Sequence, residues 1–361
     1  MKLLSLIAAA MLACAPQAQA QQKTLNVFNW SDYIDPKALQ QFTAETGIKV
    51  VYDTYDSNEI LETKLLAGNT GYDIVVPSGS FLQRQIAAGV YQKIDRGGLK
   101  NAGGIWPAID GQLAKYDPGN AHAINYMWFT TGLAYDARKI LPLNNGNPLT
   151  SWNVLFAPGE LAKFAKCGVY ILDSPEDLFT VAQRYLGNDP DTADSAKINA
   201  AADLLGRMRP HVKKFHSSEY INALANGDIC LAVSWAGDAY QARNRAREAG
   251  KNIEITYVIP SEGTLMSMDN LAIPRDAKNV SEAYQFIDFL LRPDIAARNT
   301  SVTNFANGVL ASHALLPAAI LQDKSIYPDQ DMMARLFTVK PRDPASQRLV
   351  TRAWTRVKTG R

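Results

Sequence analysis

Histidine and cysteine are scarce in this chain of 361 residues, which holds four of the first and three of the second. His211 and His216 stand five apart, a poor helical spacing for one metal, and no neighbouring Cys or acid completes a ligand set. They read as exposed or capping side chains, and no metal or cofactor is implied. Catalytic signatures are missing too: there is no G-x-S-x-G elbow, no H-E-x-x-H, no G-x-x-x-x-G-K-[ST] and no G-x-G-x-x-G. Their absence makes an enzyme less expected and leaves an exported hydrolase as the weakest reading. An excess of one charge is also lacking, since 37 Lys and Arg face 35 Asp and Glu. No field draws nucleic acid as the main partner.

Long hydrophobic runs are confined to the start of the chain. Lys2 supplies a short basic region, Leu3 to Ala15 is apolar, and Ala18-Gln19-Ala20 is a small-x-small cleavage site before Gln21. Residues 1–20 therefore read as an export signal, with an apolar run well short of the roughly 20 residues a spanning helix needs. An alternative is a lipoprotein anchor through Cys14, because Leu12-Ala13-Cys14 loosely resembles a lipoprotein processing site. Plain cleavage leaves Cys167 and Cys230, an even pair in an oxidising compartment. They form either a disulfide or two buried thiols.

What is there is an ordinary globular composition, 47% hydrophobic and 20% charged, long enough for two domains of roughly 150 residues. Strand and helix alternate from Lys23. Thr24 to Asn29 reads as a strand, Asp35 caps and Pro36 opens a helix that ends before Gly47, and Ile48 to Tyr55 is a second strand. A helix from Ser57 to Gly68, a buried strand from Tyr72 to Val76 and a helix from about Phe81 to Ala88 follow. Such alternation means a mainly parallel sheet covered by helices, with ligands at the carboxyl ends of its strands. By that rule Trp30, Ser31, Asp32 and Tyr33 share a sheet edge with Pro77, Ser78 and Ser80. The second half repeats the pattern. Between the halves, Ala123 to Tyr135 and Tyr257 to Pro274 have no linker composition and read as extended crossovers. Two lobes joined by strands are built to close about a cleft.

Aromatic residues stand beside acids at the strand ends. Trp30-Ser31-Asp32-Tyr33 follows the first strand, Trp235-Ala236-Gly237-Asp238 follows the strand at Ile229 to Ser234, Asp173, Glu176 and Asp177 follow Ile171, and Asp269 lies in the second crossover. A flexible alkyl chain bearing ammonium groups needs this combination: aromatic walls for its methylenes and carboxylates to replace water around each charge. Each residue also has a plain structural explanation. Trp30 and Trp235 suit a core, Asp32 a turn, Glu176 and Asp177 a helix dipole, and Ser78 a helix cap. Their joint placement after strands is the stronger signal.

Longer segments carry a resemblance. Asn29 to Ile34 (NWSDYI), Val75 to Leu82 (VVPSGSFL), Phe215 to Cys230 (FHSSEYINALANGDIC), Ser234 to Asp238 (SWAGD) and Glu282 to Asp294 (EAYQFIDFLLRPD) resemble the periplasmic polyamine-binding proteins of bacterial spermidine/putrescine ABC transporters, the putrescine-preferring branch above all. The resemblance implies an α/β, two-lobed periplasmic binding protein of type II, each lobe a central sheet flanked by helices. Residues 21–128 with 250–312 would form the first lobe and 129–249 with 313–361 the second. It implies a monomeric, non-catalytic receptor that closes on a small cationic di- or polyamine and presents it to an inner-membrane ABC permease, or else to a membrane sensor. Trp30 and Trp235 match the residues flanking the alkyl chain, with Ser31, Asp32 and Tyr33 beside them and Ser78 after the third strand. Asp32, Asp177, Asp238 and Asp269 match acidic positions, Asp177 standing where the putrescine branch has Glu. Ser80 and Phe81 match positions that vary with ligand length, and Cys167 and Cys230 match the family's disulfide. Two departures bear on the ligand: Ser267 replaces a usual aromatic wall and Phe305 replaces a Tyr, so a longer or substituted amine would fit the resemblance as well.

Overall fold

The computed structural model describes residues 22–360; the expected export signal, its expected cleavage site and Cys14 lie outside them. Eleven strands are found among the described residues: β1 Thr24–Trp30, β2 Lys49–Tyr55, β3 Ile74–Val75, β4 Ala123–Asp136, β5 Val169–Ile171, β6 Lys214–Phe215, β7 Leu231–Trp235, β8 Ile255–Val258, β9 Thr264–Ala272, β10 Ala306–Asn307 and β11 Leu336–Phe337. Local chemistry sets the first elements. Asp35 accepts from the Lys37 amide to cap helix Pro36–Thr46, and Gly47 ends it in the left-handed region at φ 72°. Ser57 caps helix Asn58–Ala67 in the same way, through the Ile60 amide.

β4 organises the molecule. All fourteen of its residues are buried. Its first part pairs with β9, from Ala123 opposite Ala272 to Thr130 opposite Met266, and its last part pairs with β7 and β8, from Thr131 opposite Trp235 to Asp136 opposite Ile255. One strand thus serves two groups. β1 lies between β2 and β3 in parallel and reaches β4 through β9, while β5 joins β7 and β6 on the other side. β9 divides likewise, since Thr264 and Leu265 pair with β11. The first expected crossover is therefore one continuous strand, whereas the second, Tyr257 to Pro274, is broken after Val258 by a turn at Ser261 and Glu262 before β9 begins. β8 pairs with the same end of β4 as β7 does, Val258 opposite Leu133 and Ile255 opposite Asp136.

Helices cover both groups of strands. Helix Pro175–Tyr185 packs on helix Ser195–Met208, which in turn meets the C-terminal helix Pro344–Thr359. The largest fully buried side chains include Trp128, Trp152, Tyr135 and Tyr220, three of them in or beside the second strand group. Cys167 and Cys230 are disulfide-bonded with their Cα atoms 5.5 Å apart, tying the segment before β5 to the start of β7. His216 accepts from the Ser218 and Glu219 amides through Nδ1 at 3.1 and 3.2 Å, the capping role its position allows.

Candidate functional site

The ends of β1, β2 and β3 meet the end of β7 across a cavity between the two strand groups. Eleven of the thirteen residues singled out from the sequence line it: Trp30, Ser31, Tyr33, Ser78, Phe81, Asp177, Trp235, Asp238, Ser267, Asp269 and Phe305. β1 ends in Trp30, whose indole Nε1 donates to the Val76 carbonyl at 3.0 Å and whose ring leans on Tyr55 at 4.7 Å. β7 ends in Trp235, edge-on to Trp30 with ring centroids 5.8 Å apart. The two lobes therefore touch through their tryptophans.

Three aspartates approach from different elements. Asp269 comes from β9 and accepts from Ser78 Oγ at 2.6 Å. That bond explains why Ser78, although placed to cap helix Gly79–Ala87, makes no side-chain cap; Asn58 supports it by donating to its Oγ at 2.9 Å. Asp177 sits in the first turn of helix Pro175–Tyr185 and accepts from Thr131 Oγ1, from Ser174 Oγ at 2.5 Å and from Trp235 Nε1 at 3.4 Å. Asp238 lies in the first turn of helix Ala236–Glu248 and accepts from the Tyr220 hydroxyl. They are 2%, 5% and 6% exposed, and none has a cationic side chain in ion-pair contact among the described residues. Burial pushes the carboxyls of Asp238 and Asp269 up to about 7, and raises Asp177 in the same direction. A buried site whose three carboxyls meet only hydroxyl and indole donors, with no cation, favours a cationic guest, because an unpaired carboxylate charge there is costly.

Glu176, which the sequence reading placed among the strand-end acids but which a helix dipole also explains, lines the cavity too, as do Asp56, Glu59 and Asp173. Burial raises the Glu176 carboxyl to about 7 as well, and it accepts from Ser80 Oγ at 2.5 Å across the lobes. Ser80 is thereby turned onto Glu176 and does not line the cavity. Asp32 is displaced too. It occupies the left-handed region at φ 55°, and its carboxylate pairs with Arg245 of the opposite lobe at 3.0 Å. The tight turn aims it outside the cavity wall, so of the four expected aspartates Asp177, Asp238 and Asp269 line the cavity and Asp32 does not.

Two cavity aromatics escaped the sequence reading. Tyr55 closes β2 directly beside Trp30 in register, and the strand-end rule that found Trp30 also finds it. Phe129 lies within β4, opposite Ser267, in a run buried throughout that gives no alternation to single it out. Its ring meets Phe305 at 5.2 Å and Trp235 at 5.8 Å, so the missing aromatic at 267 leaves a wall of three rings beside an open polar position. Phe305 also contacts Tyr33 at 4.7 Å. The Tyr33 hydroxyl is buried near Asp269 without a well-formed hydrogen bond, one polar atom still free to meet a guest.

Comparison with known proteins agrees with this architecture. The chain is 47% identical over 359 residues to the putrescine-binding periplasmic protein PotF of Escherichia coli (strain K12), covering 99% of this chain and 97% of that one. It is also 47% identical to the putrescine-binding periplasmic protein SpuD of Pseudomonas aeruginosa (strain UCBPP-PA14), covering 99% and 98%. The fold resembles the crystal structure of the spermidine/putrescine ABC transporter substrate-binding protein PotD from Streptococcus pneumoniae, with a TM-score of 0.77 at 28% identity over 94% of this chain and 99% of that one. Residues 37–326 match the family model described as a bacterial extracellular solute-binding protein, and the chain belongs to that family.

Proposed function

We propose that this chain is a periplasmic receptor that encloses a small cationic di- or polyamine, putrescine or a spermidine-like amine, between its lobes and delivers it to an inner-membrane ABC importer, with no reaction catalysed. The observation that carries this reading is the set of buried, cation-free carboxylates of Asp177, Asp238 and Asp269 in an aromatic cavity. Trp30 and Trp235, with Phe129, enclose the methylenes; the aspartates and Glu176 receive the ammonium groups; Ser31, Tyr33, Ser78, Phe81, Ser267 and Phe305 complete the wall. Asp32 and Ser80 act between the lobes, through Arg245 and Glu176. The names borne by the relatives support the same ligand class. We take the lobes as residues 21–128 with most of β9 through 312, and 129–258 with 313–361, in a monomer released to the periplasm.

Isothermal titration of the mature protein with putrescine, cadaverine, spermidine, spermine and agmatine tests it. Submicromolar to micromolar binding of at least one amine, on the order of −8 kcal/mol, is the expected result. No heat and no thermal shift with any of the five would overturn the reading.

A further inference from the structure

The helix Glu219–Asn226 packs on the helix Ala236–Glu248, and Tyr220 in its first turn is fully buried. Its neighbours Ser218 and Ile221 line the ligand cavity, whereas Tyr220 does not. The Tyr220 hydroxyl instead meets two groups where β7 runs into the second helix: it accepts from the Trp235 amide at 3.4 Å and donates to Asp238 Oδ2. One hydroxyl thus holds a cavity acid and the backbone of an aromatic wall together. Other buried tyrosines spend theirs differently. Tyr55 donates to the Val76 carbonyl at 2.5 Å, Tyr126 to the Tyr33 carbonyl at 2.8 Å and Tyr257 to the Thr130 carbonyl at 2.7 Å, which is all that burying a phenol requires.

The three cavity aspartates also differ in how firmly they are held. Asp177 has both oxygens engaged, by the side chains of Thr131, Ser174 and Trp235. Asp269 accepts at Oδ1 from Ser78, which Asn58 backs in turn. Asp238 has only Tyr220 among the described side chains, at Oδ2. Its Oδ1 takes no protein donor among the described residues and is left to a guest in the cavity that Asp238 lines.

We propose that Tyr220 is a positioning residue for amine recognition: by taking Oδ2 it fixes the Asp238 carboxylate with Oδ1 turned to an ammonium group, and it keeps that carboxylate ready as an anion. This role rests on the amine-receptor reading above. A hydroxyl donor favours the charged form of a carboxyl, and here it works against the surroundings. Burial raises the Asp238 carboxyl to about 7, the Tyr220 bond opposes the rise, Asp32 adds to it, and Arg245 opposes it while pairing with Asp32 at 3.0 Å. The Tyr33 hydroxyl, which follows β1, stays neutral. Deprived of the Tyr220 bond, Asp238 ionises less readily, and an amine must supply the difference when it binds. That cost vanishes at high pH, where the acid is already ionised.

Tyr220→Phe removes the one oxygen and keeps the ring. Titration calorimetry with putrescine is expected to show binding about five- to tenfold weaker than wild type at pH 6 to 7, a loss that a rise of one pKa unit in Asp238 produces, shrinking to under about twofold at pH 9. In an Asp238→Asn background the same substitution should cost under about twofold at every pH. Equal binding by Tyr220→Phe and wild type at pH 6 to 7 would overturn the positioning role, and so would a loss of one size at pH 6 and pH 9, which a tyrosine that merely fills the core would give. The wild-type protein supplies a readout that does not depend on the variant folding. With tyrosine labelled at 13Cζ, the Tyr220 resonance of the apo protein should shift with a midpoint near pH 7 and cease to shift in saturating putrescine. A resonance flat from pH 5 to pH 9 would overturn the role as well. Wild type that binds neither putrescine nor spermidine would instead remove the amine reading, and the role of Tyr220 with it.

Discussion

At the scale of single residues, the cavity is governed by what its carboxylates lack. Asp269 has Ser78, Asp238 has Tyr220, and neither has a cation. A hydroxyl donor eases burial of a carboxylate, but an ammonium ligand does so far more strongly. Replacing Asp269 or Asp238 by Asn is accordingly expected to weaken amine binding by about 2 to 5 kcal/mol, read by titration calorimetry, with the apo protein as stable as wild type or more so. A loss under about 0.5 kcal/mol would remove that residue from ammonium recognition. Gly237 is a second residue-scale constraint. A Cβ there would lie 2.2 Å from the Phe305 ring, so Gly237→Ala should cost about 1 to 3 kcal/mol of stability in thermal unfolding and displace the ring that backs Tyr33. These residues were legible to different degrees. Trp30 and Trp235 announced themselves at strand ends, while Glu176 and Asp177 stood there with a second local explanation, since acids after a helix-opening Pro suit the helix dipole.

At the scale of elements, capping and strand chemistry could be read locally. Asp35 with Pro36 and Gly47 delimit one helix as expected, and Ser57 begins the next. Helix Ala236–Glu248 starts directly at the end of β7, with Trp235 as its first flanking residue. The reason is tertiary: β7 runs straight into the helix, and the turn between them delivers Trp235 and Asp238 to the cavity together. Helix Pro344–Thr359 was not singled out at all, although its apolar spacing is helical, and its partner Ser195–Met208 is remote in sequence. The disulfide belongs to this scale as well. It fastens the approach to β5 onto β7 and closes a sequence separation of 63 residues, worth about 3 to 4 kcal/mol in the chain-entropy account. The Cys167→Ala, Cys230→Ala double variant should melt lower, yet bind amine within about twofold, since the bond lies away from the cavity wall. A large loss of affinity at unchanged melting temperature would contradict that separation.

For the whole molecule, lobe closure and protonation are one problem. In the absence of a cation the native carboxyls of Asp238, Asp269 and Glu176 sit at about 7, above their unfolded values near 4. Between those limits the native state holds more protons than the unfolded chain, so these groups make stability fall as pH rises from about 4 to 7. The apo protein is thus expected to melt lower at pH 8 than at pH 5, the slope flattening in the Asp238→Asn, Asp269→Asn double variant. Amine binding ionises the acids, so at pH 6 it should release protons, seen as a binding heat that varies with buffer ionisation enthalpy. An apo melting temperature that rises over the same range, or binding without proton release, would contradict the burial of neutral carboxyls. Such coupling was invisible in a chain whose charges nearly cancel, because net charge says nothing about where acids gather. What the sequence by itself determined is local: the alternation of strand and helix, the strand-end aromatics and acids, and the solute-receptor class carried by its longer segments. Only the tertiary structure decided which acids face the cavity and turned Asp32 onto Arg245 and Ser80 onto Glu176. Those choices depend on how two lobes meet around β4 and β9, a contact between residues far apart in the chain that no local pattern encodes.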